Sequence, residues 1–359
     1  MGIKQFVLYS TLAFTLVFTA PAQTILNADG SGQTYELINS AFAPSGNVVE
    51  VPDCAHESYG RHISEVYDEE LEMYVFRFDI HRDQDNDRCI KFDRQRNEIK
   101  AYDKSSDNLL GVIGEKVIYS WKFKLASDFQ PSSSFTHLFQ IKAVGGSEDA
   151  MPSITLTARK GNPDRLELRY AEDFTQVTLK NGPLENLKGQ WLQVTSEVLY
   201  GDTDQGMYAV SITSVSDGNV LFEYENDAIR MWKTEASFMR PKWGIYRSLN
   251  DASSLKDESV LFADFVILEE IVEKEEEVVL ASVLQDYHIF PSLVADQIHL
   301  SDQLLANYDR ISIFNQAGKN ISTQEITKSI DVATLKSGLY LIKVISTEGQ
   351  NEIFRFVKL

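Results

Sequence analysis

Cysteine, histidine and positive charge are all scarce in this chain. Its 359 residues hold two cysteines, Cys54 and Cys89, and six histidines. No C-x-x-C or H-x-x-x-H pair occurs, so sequence spacing asserts no metal site, and His56, His62 and His81 read as scattered. There is no G-x-S-x-G elbow, no P-loop and no dinucleotide fingerprint. Lys and Arg number 34 against 53 Asp and Glu, a formal net charge of −19. That balance excludes a general nucleic-acid binder, and it permits a polyanionic ligand only if cations gather locally. Beyond residue 22 no apolar run approaches the roughly 20 residues that a membrane span needs. Wholesale disorder is excluded too, because 43% of residues are hydrophobic and 11% aromatic.

What is present begins with an address. Lys4 precedes an apolar run from Phe6 to Ala20, and Ala20-Pro21-Ala22 offers small residues at a cleavage site. Residues 1–22 are therefore expected to be a secretory signal, with Gln23 the first mature residue. Export implies an oxidising compartment, so Cys54 and Cys89 are expected to form a disulfide.

From Gln23 to Leu268 the chain alternates apolar and polar residues over short runs. Examples are Tyr74–Ile80, Val117–Leu125, Ser153–Arg159, Arg165–Tyr170, Trp191–Tyr200, Tyr208–Val215 and Val260–Leu268. Turn clusters such as Gly161-Asn162-Pro163-Asp164 separate them. Period-two alternation in many short runs predicts an all-β jelly roll, a concanavalin-like sandwich with a curved groove, over residues 23–268. Residues 269–283 carry six Glu against one Lys. Such repulsion extends a chain, which predicts an acidic linker. Residues 284–359 are then a separate small β-sandwich ending in a hairpin, Ser337–Val344 and Phe354–Leu359. With Ile289-Phe290-Pro291-Ser292 this tail resembles the C-terminal sorting domain of the type IX secretion system of Bacteroidetes, although the usual Tyr-Pro-Asn-Pro opening is degraded here. The resemblance implies the type IX machinery as a partner and a protein exported across the outer membrane, secreted or held at the cell surface.

Three strands carry candidate chemistry. In Asp93–Lys100 alternation puts Arg94, Arg96, Glu98 and Lys100 on one face, a cradle for carboxylates or sulfates. In Phe135–Ala143 it puts Gln140 and Lys142 on the groove face and His137 with the apolar residues, as a core histidine. In Arg240–Ser248 it gives Arg240, Lys242, Gly244 and Tyr246 one face and Trp243 and Ile245 the other. Gly244 removes a side chain where a ligand could approach.

In this order the segments resemble the signature strands of jelly-roll alginate lyases, R-(S/T)-E-L-R, then Q-I-H, then Y-F-K-A-G-x-Y-x-Q. The chain has Arg96-Asn97-Glu98-Ile99-Lys100, then Gln140-Ile141-Lys142, then Lys242-Trp243-Gly244-Ile245-Tyr246-Arg247-Ser248. Lys142 stands where alginate lyases place His. A lysine there with a downstream tyrosine is similar to the ulvan lyases of marine Bacteroidetes. The resemblance implies Lys142 and Tyr246 as the catalytic base and acid. Arg94, Arg96, Asn97, Gln140, Arg240 and Lys242 are the expected substrate-binding residues. The expected activity is β-elimination on a uronate-containing anionic polysaccharide, with ulvan first. Glucuronan, alginate or a glycosaminoglycan are the other polymers, and a non-catalytic carbohydrate-binding jelly roll is the reading of a different class. A glycoside hydrolase needs two facing carboxylates, and Glu98 is the one carboxylate on the face of these strands. No cofactor is required, a monomer is expected, and no metal ligand is assigned. Asp83-Gln84-Asp85-Asn86-Asp87 opens like a calcium loop but lacks its glycine and distal glutamate, so a structural calcium stands beside a plain polar turn.

Overall fold

Alternating runs of this kind bury one face each, and two antiparallel sheets packed face to face satisfy them all. The computed structural model describes residues 23–270, 289–290, 293–315, 319–346 and 351–359. The expected signal at 1–22, residues 271–283 of the acidic segment, and Pro291 and Ser292 lie outside the described residues. The chain divides into two units, residues 1–274 and 275–359.

In the first unit one sheet runs, in spatial order, Gln176–Pro183, Arg165–Ala171, Ile154–Arg159, Thr136–Val144, Phe238–Ser248, Arg94–Lys100 and Val49–Glu50. The three strands singled out by their charges are thus adjacent neighbours. The other sheet runs Val220–Asn226, Met207–Ser214, Trp191–Leu199, Lys116–Leu125, Glu258–Glu270, Met73–Ile80 and Ile63–Asp68, with Gln23–Leu26 also paired to Glu258–Glu270. Strand limits expected from alternation agree with these within a few residues.

The core lies between the sheets. Trp121 of the second sheet meets Phe139 and Trp243 of the first at ring separations of 4.5 and 6.0 Å. A helix, Thr34–Phe42, plugs the sandwich with Tyr35, Ile38 and Phe42 turned inward, and Phe42 rests on Trp243 at 5.8 Å. Its nine residues are too few to stand out by periodicity among strands. The Cys54–Cys89 disulfide is formed, with Cα atoms 6.3 Å apart.

The second unit has a three-stranded sheet (Ile289–Phe290, Gln297–Leu300, Ser329–Asp331) and a five-stranded one. The expected terminal hairpin belongs to the latter, Gly338–Ile345 paired with Asn351–Lys358 in continuous register. Ile298, Ile311, Ile342 and Phe356 lie in its small core.

Candidate active site

Register brings the charged residues together. The central strand Phe238–Ser248 pairs Tyr246 with Arg96 and Lys242 with Lys100 on one side. On the other it pairs Tyr246 with His137, Lys242 with Gln140 and Arg240 with Lys142. Trp243 and Ile245, the intervening residues, are fully buried in the core. A cavity of about 470 Å³ opens over this face. Seven cationic side chains line it (Arg88, Arg94, Arg96, Lys142, Arg159, Arg240 and Lys242) against one carboxylate, Glu50.

The floor of the cavity is an ion-pair network. Lys242 reaches Glu50 at 2.5 Å and Glu98 at 2.8 Å. Arg96 binds Glu98, lies 3.4 Å from Glu50, and donates to Asp87 at 3.0 Å. Gln140 donates its amide to Glu98. Lys100 pairs with Glu50 at 2.8 Å and so stands behind the floor rather than in the cavity. Burial alone would raise the Glu50 pKa, but Lys242, Arg96 and Lys100 hold it well below the carboxylate range. Arg96 is likewise buried, yet Glu98 and Glu50 hold its pKa above the ordinary arginine value.

Tyr246 and Lys142 sit over this floor. Arg94 donates an N–H to the Tyr246 hydroxyl oxygen at 2.9 Å, which leaves the hydroxyl's own proton free. The Arg96 guanidinium lies over the Tyr246 ring at 3.7 Å. Lys142 is half-buried and donates to the Asp149 carbonyl. Burial pushes its pKa down to about 8; Asp149 opposes this, while Lys242, Arg240 and Arg96 add to it. A lysine so placed is a usable base near neutrality. Five register positions separate Lys142 from His137, the partner of Tyr246, which is roughly 15 Å of strand.

Of the residues expected to bind substrate, Arg94, Arg96, Gln140, Arg240 and Lys242 line the cavity. Asn97 does not. It points to the opposite face and donates Nδ2 to the carbonyls of His62 and Asp79, tying its strand to the other sheet. Gly244 also has a different role. A Cβ there would sit 2.1 Å from the Asn97 carbonyl oxygen, and its φ is +144°, so the neighbouring backbone and not a ligand fills the space.

His137 is buried, with Nδ1 2.8 Å from the Thr157 hydroxyl as expected of a core histidine, yet its ring also lines the cavity, stacked on Phe135 at 4.8 Å and 5.7 Å from the Tyr246 ring. A bulge explains this: His137 and Phe139 pair with consecutive residues Thr157 and Leu156, so Leu138 is extra and the face changes there. Burial, helped by Arg96, pushes the His137 pKa down to about 3, so its ring is neutral. Glu50, Arg88 and Arg159 were also missed. No local pattern marks them, because each reaches the cavity from a different strand or loop.

The three aspartates of the calcium-like run diverge. Asp83 pairs with Arg82, Asp85 with His62 and His81, and Asp87 with Arg88 and Arg96. They do not enclose one cation.

A polysaccharide lyase family model matches residues 46–266, and a secretion system C-terminal sorting domain matches residues 288–358. No curated protein matches. Among solved structures, a marine alginate lyase from Aplysia kurodai shares 13% identity, covering 70% of this chain and 100% of that one, with a TM-score of 0.48. An endo-β-1,4-glucuronan lyase from Trichoderma reesei shares 15%, covering 57% and 86%, with a TM-score of 0.42. An alginate lyase from Pseudomonas aeruginosa shares 14%, covering 62% and 97%, with a TM-score of 0.43. The sorting domain makes this a protein secreted through the type IX system to the cell surface or exterior. The family match spans more than half of the chain and covers the cationic cavity: the chain belongs to the polysaccharide lyase family.

Proposed function

We propose that the protein cleaves a uronate-containing, sulfated polysaccharide such as ulvan by β-elimination. The observation that carries this reading is that one cationic cavity is lined both by a lysine with a lowered pKa and by a tyrosine whose hydroxyl oxygen accepts from Arg94, which leaves its proton to give. Elimination from a 4-linked uronate needs three things. The C6 carboxylate must be neutralised, a base must take the C5 proton, and an acid must protonate the departing O4. Arg96, Arg240 and Lys242 provide preorganised charge for the carboxylate. Lys142 as the free amine takes the C5 proton. The electron pair forms the C4–C5 double bond as the C4–O4 bond breaks, and Tyr246 gives its proton to O4. Arg88, Arg94 and Arg159, each paired with a carboxylate of the chain, add N–H donors beyond those that one substrate carboxylate needs, which suits a polymer carrying sulfate.

A second reading rests on the roughly 15 Å of register between the two residues. In it Tyr246, flanked by Arg94 and Arg96, handles both protons, and Lys142 binds an anionic group on a neighbouring sugar. The test is incubation with ulvan, glucuronan, alginate and a glycosaminoglycan, read by the ultraviolet absorbance of unsaturated uronate. Activity should be highest on ulvan. Tyr246→Phe should abolish it, with a loss of at least about 10²-fold. Lys142→Ala should lower kcat by a similar factor on the first reading and raise KM on the second. No activity on any uronate polymer would overturn both.

A further inference from the structure

Away from the cavity, three histidines far apart in sequence meet. His56, His62, His81 and Asp85 each offer a ligand atom, and these atoms lie within 4.8 Å of one another. His62 Nε2 is 3.1 Å and His56 Nδ1 3.4 Å from one Asp85 oxygen, and His81 Nδ1 is 3.2 Å from the other. Four ligands around a tetrahedral zinc at about 2.0 Å stand roughly 3.3 Å apart. The His56 Nδ1 atom is buried with no hydrogen-bond partner. Behind His62, Asp53 accepts from Nδ1 at 2.8 Å, the carboxylate–histidine arrangement that orients a metal-bound imidazole. The Tyr59 ring covers the cluster, 4.2 Å from His81 and 4.8 Å from His62.

We propose that His56, His62, His81 and Asp85 form a structural zinc site. Imidazole donors favour zinc over calcium or magnesium, which take oxygen cages. The four residues are drawn from the two loops that the Cys54–Cys89 disulfide also joins. Gln95 donates to the carbonyls of His81, Arg82 and Asp85, and Asp87 holds Arg96. A bound ion would thus fix the loop behind the cavity's arginine strand.

The full chain, stripped with a chelator, is titrated with zinc chloride by calorimetry and with cobalt(II) by visible absorption. The expected result is one zinc per chain, the d–d spectrum of four-coordinate cobalt, and a thermal midpoint raised by several degrees. His62→Ala removes a fully buried side chain and can fail to fold. His56→Ala and His81→Ala, which are partly exposed, are the working variants. Each should weaken zinc binding by at least 100-fold or so, and Asp53→Asn by roughly 10–100-fold. The proposal is overturned if the stripped chain takes up no zinc, if calcium binds as well as zinc, or if both partly exposed variants bind zinc like the parent.

Discussion

At Lys142 the sign of a pH profile separates two roles. Its pKa, pushed down to about 8 by burial and by neighbouring cations, sets where the amine loses its charge. If the free amine takes the C5 proton, kcat/KM rises as pH passes upward through about 8. If the ammonium holds an anionic group, kcat/KM falls over the same interval. A rising limb that disappears in Lys142→Arg, which cannot deprotonate, identifies the base. A falling limb that is likewise lost in that variant, with activity kept at higher pH, identifies the binder. The residue types that matter here were legible in the sequence, since Arg94, Arg96, Lys142, Arg240 and Lys242 were picked out by alternation and do share a cavity. Alternation gives Asn97 the face it has, and the binding role came from the resemblance alone; His137 is buried as alternation says, but a bulge turns it to the cavity. Alternation gives the face of a side chain only while the strand keeps its period, and it does not say whether a polar group is already spent on backbone carbonyls.

At the level of the element, the central strand decides the geometry. Its register against Thr136–Val144 shifts between Trp243 and Tyr246, and Gly244 lies inside that shift. With a φ of +144° and the Asn97 carbonyl 2.1 Å from any Cβ, this position has no room for another residue. Gly244→Ala should cost on the order of 3 kcal/mol and lower the thermal midpoint by roughly 6–12 °C. Gly182→Ala is the control, because its Cβ would meet only the Phe222 ring at an ordinary 3.5 Å. A Gly244→Ala protein melting with the parent would remove the close-approach argument. Bulges of this kind are set by the neighbouring strand, so one sequence segment read alone does not reveal them. The glycine was visible, and its reason was not.

For the whole molecule, charge separates by distance. A net −19 repels a polyanion from afar, while seven cations in one cavity attract it nearby. Salt removes the far field first, because the Debye length is about 10 Å at 0.1 M and about 3 Å at 1 M. Activity on a sulfated uronan should therefore rise as salt approaches about 0.1 M and fall towards 1 M, with the change in KM rather than kcat. Steady-state kinetics across a sodium chloride series checks this; a KM that climbs from the lowest salt onward would mean that the outer charge is irrelevant. Fold class was the most legible property at this scale, since many short alternating runs leave few architectures. The gathering of Glu50 and Asp87 beneath the arginines was the least legible, because it depends on tertiary contacts alone.

The shared floor of Arg96, Lys242, Glu50 and Glu98 also limits how such a site can diversify. Each member is held by at least two of the others or by Asp87. Replacing one strands a buried charge, at about 3–5 kcal/mol, so the floor can change only by several substitutions made together. Arg94 lies at the rim, where its partner Asp93 is open to water, and a single substitution there leaves the floor intact. Change at the rim is thus accessible one step at a time, while the floor is inherited as a block.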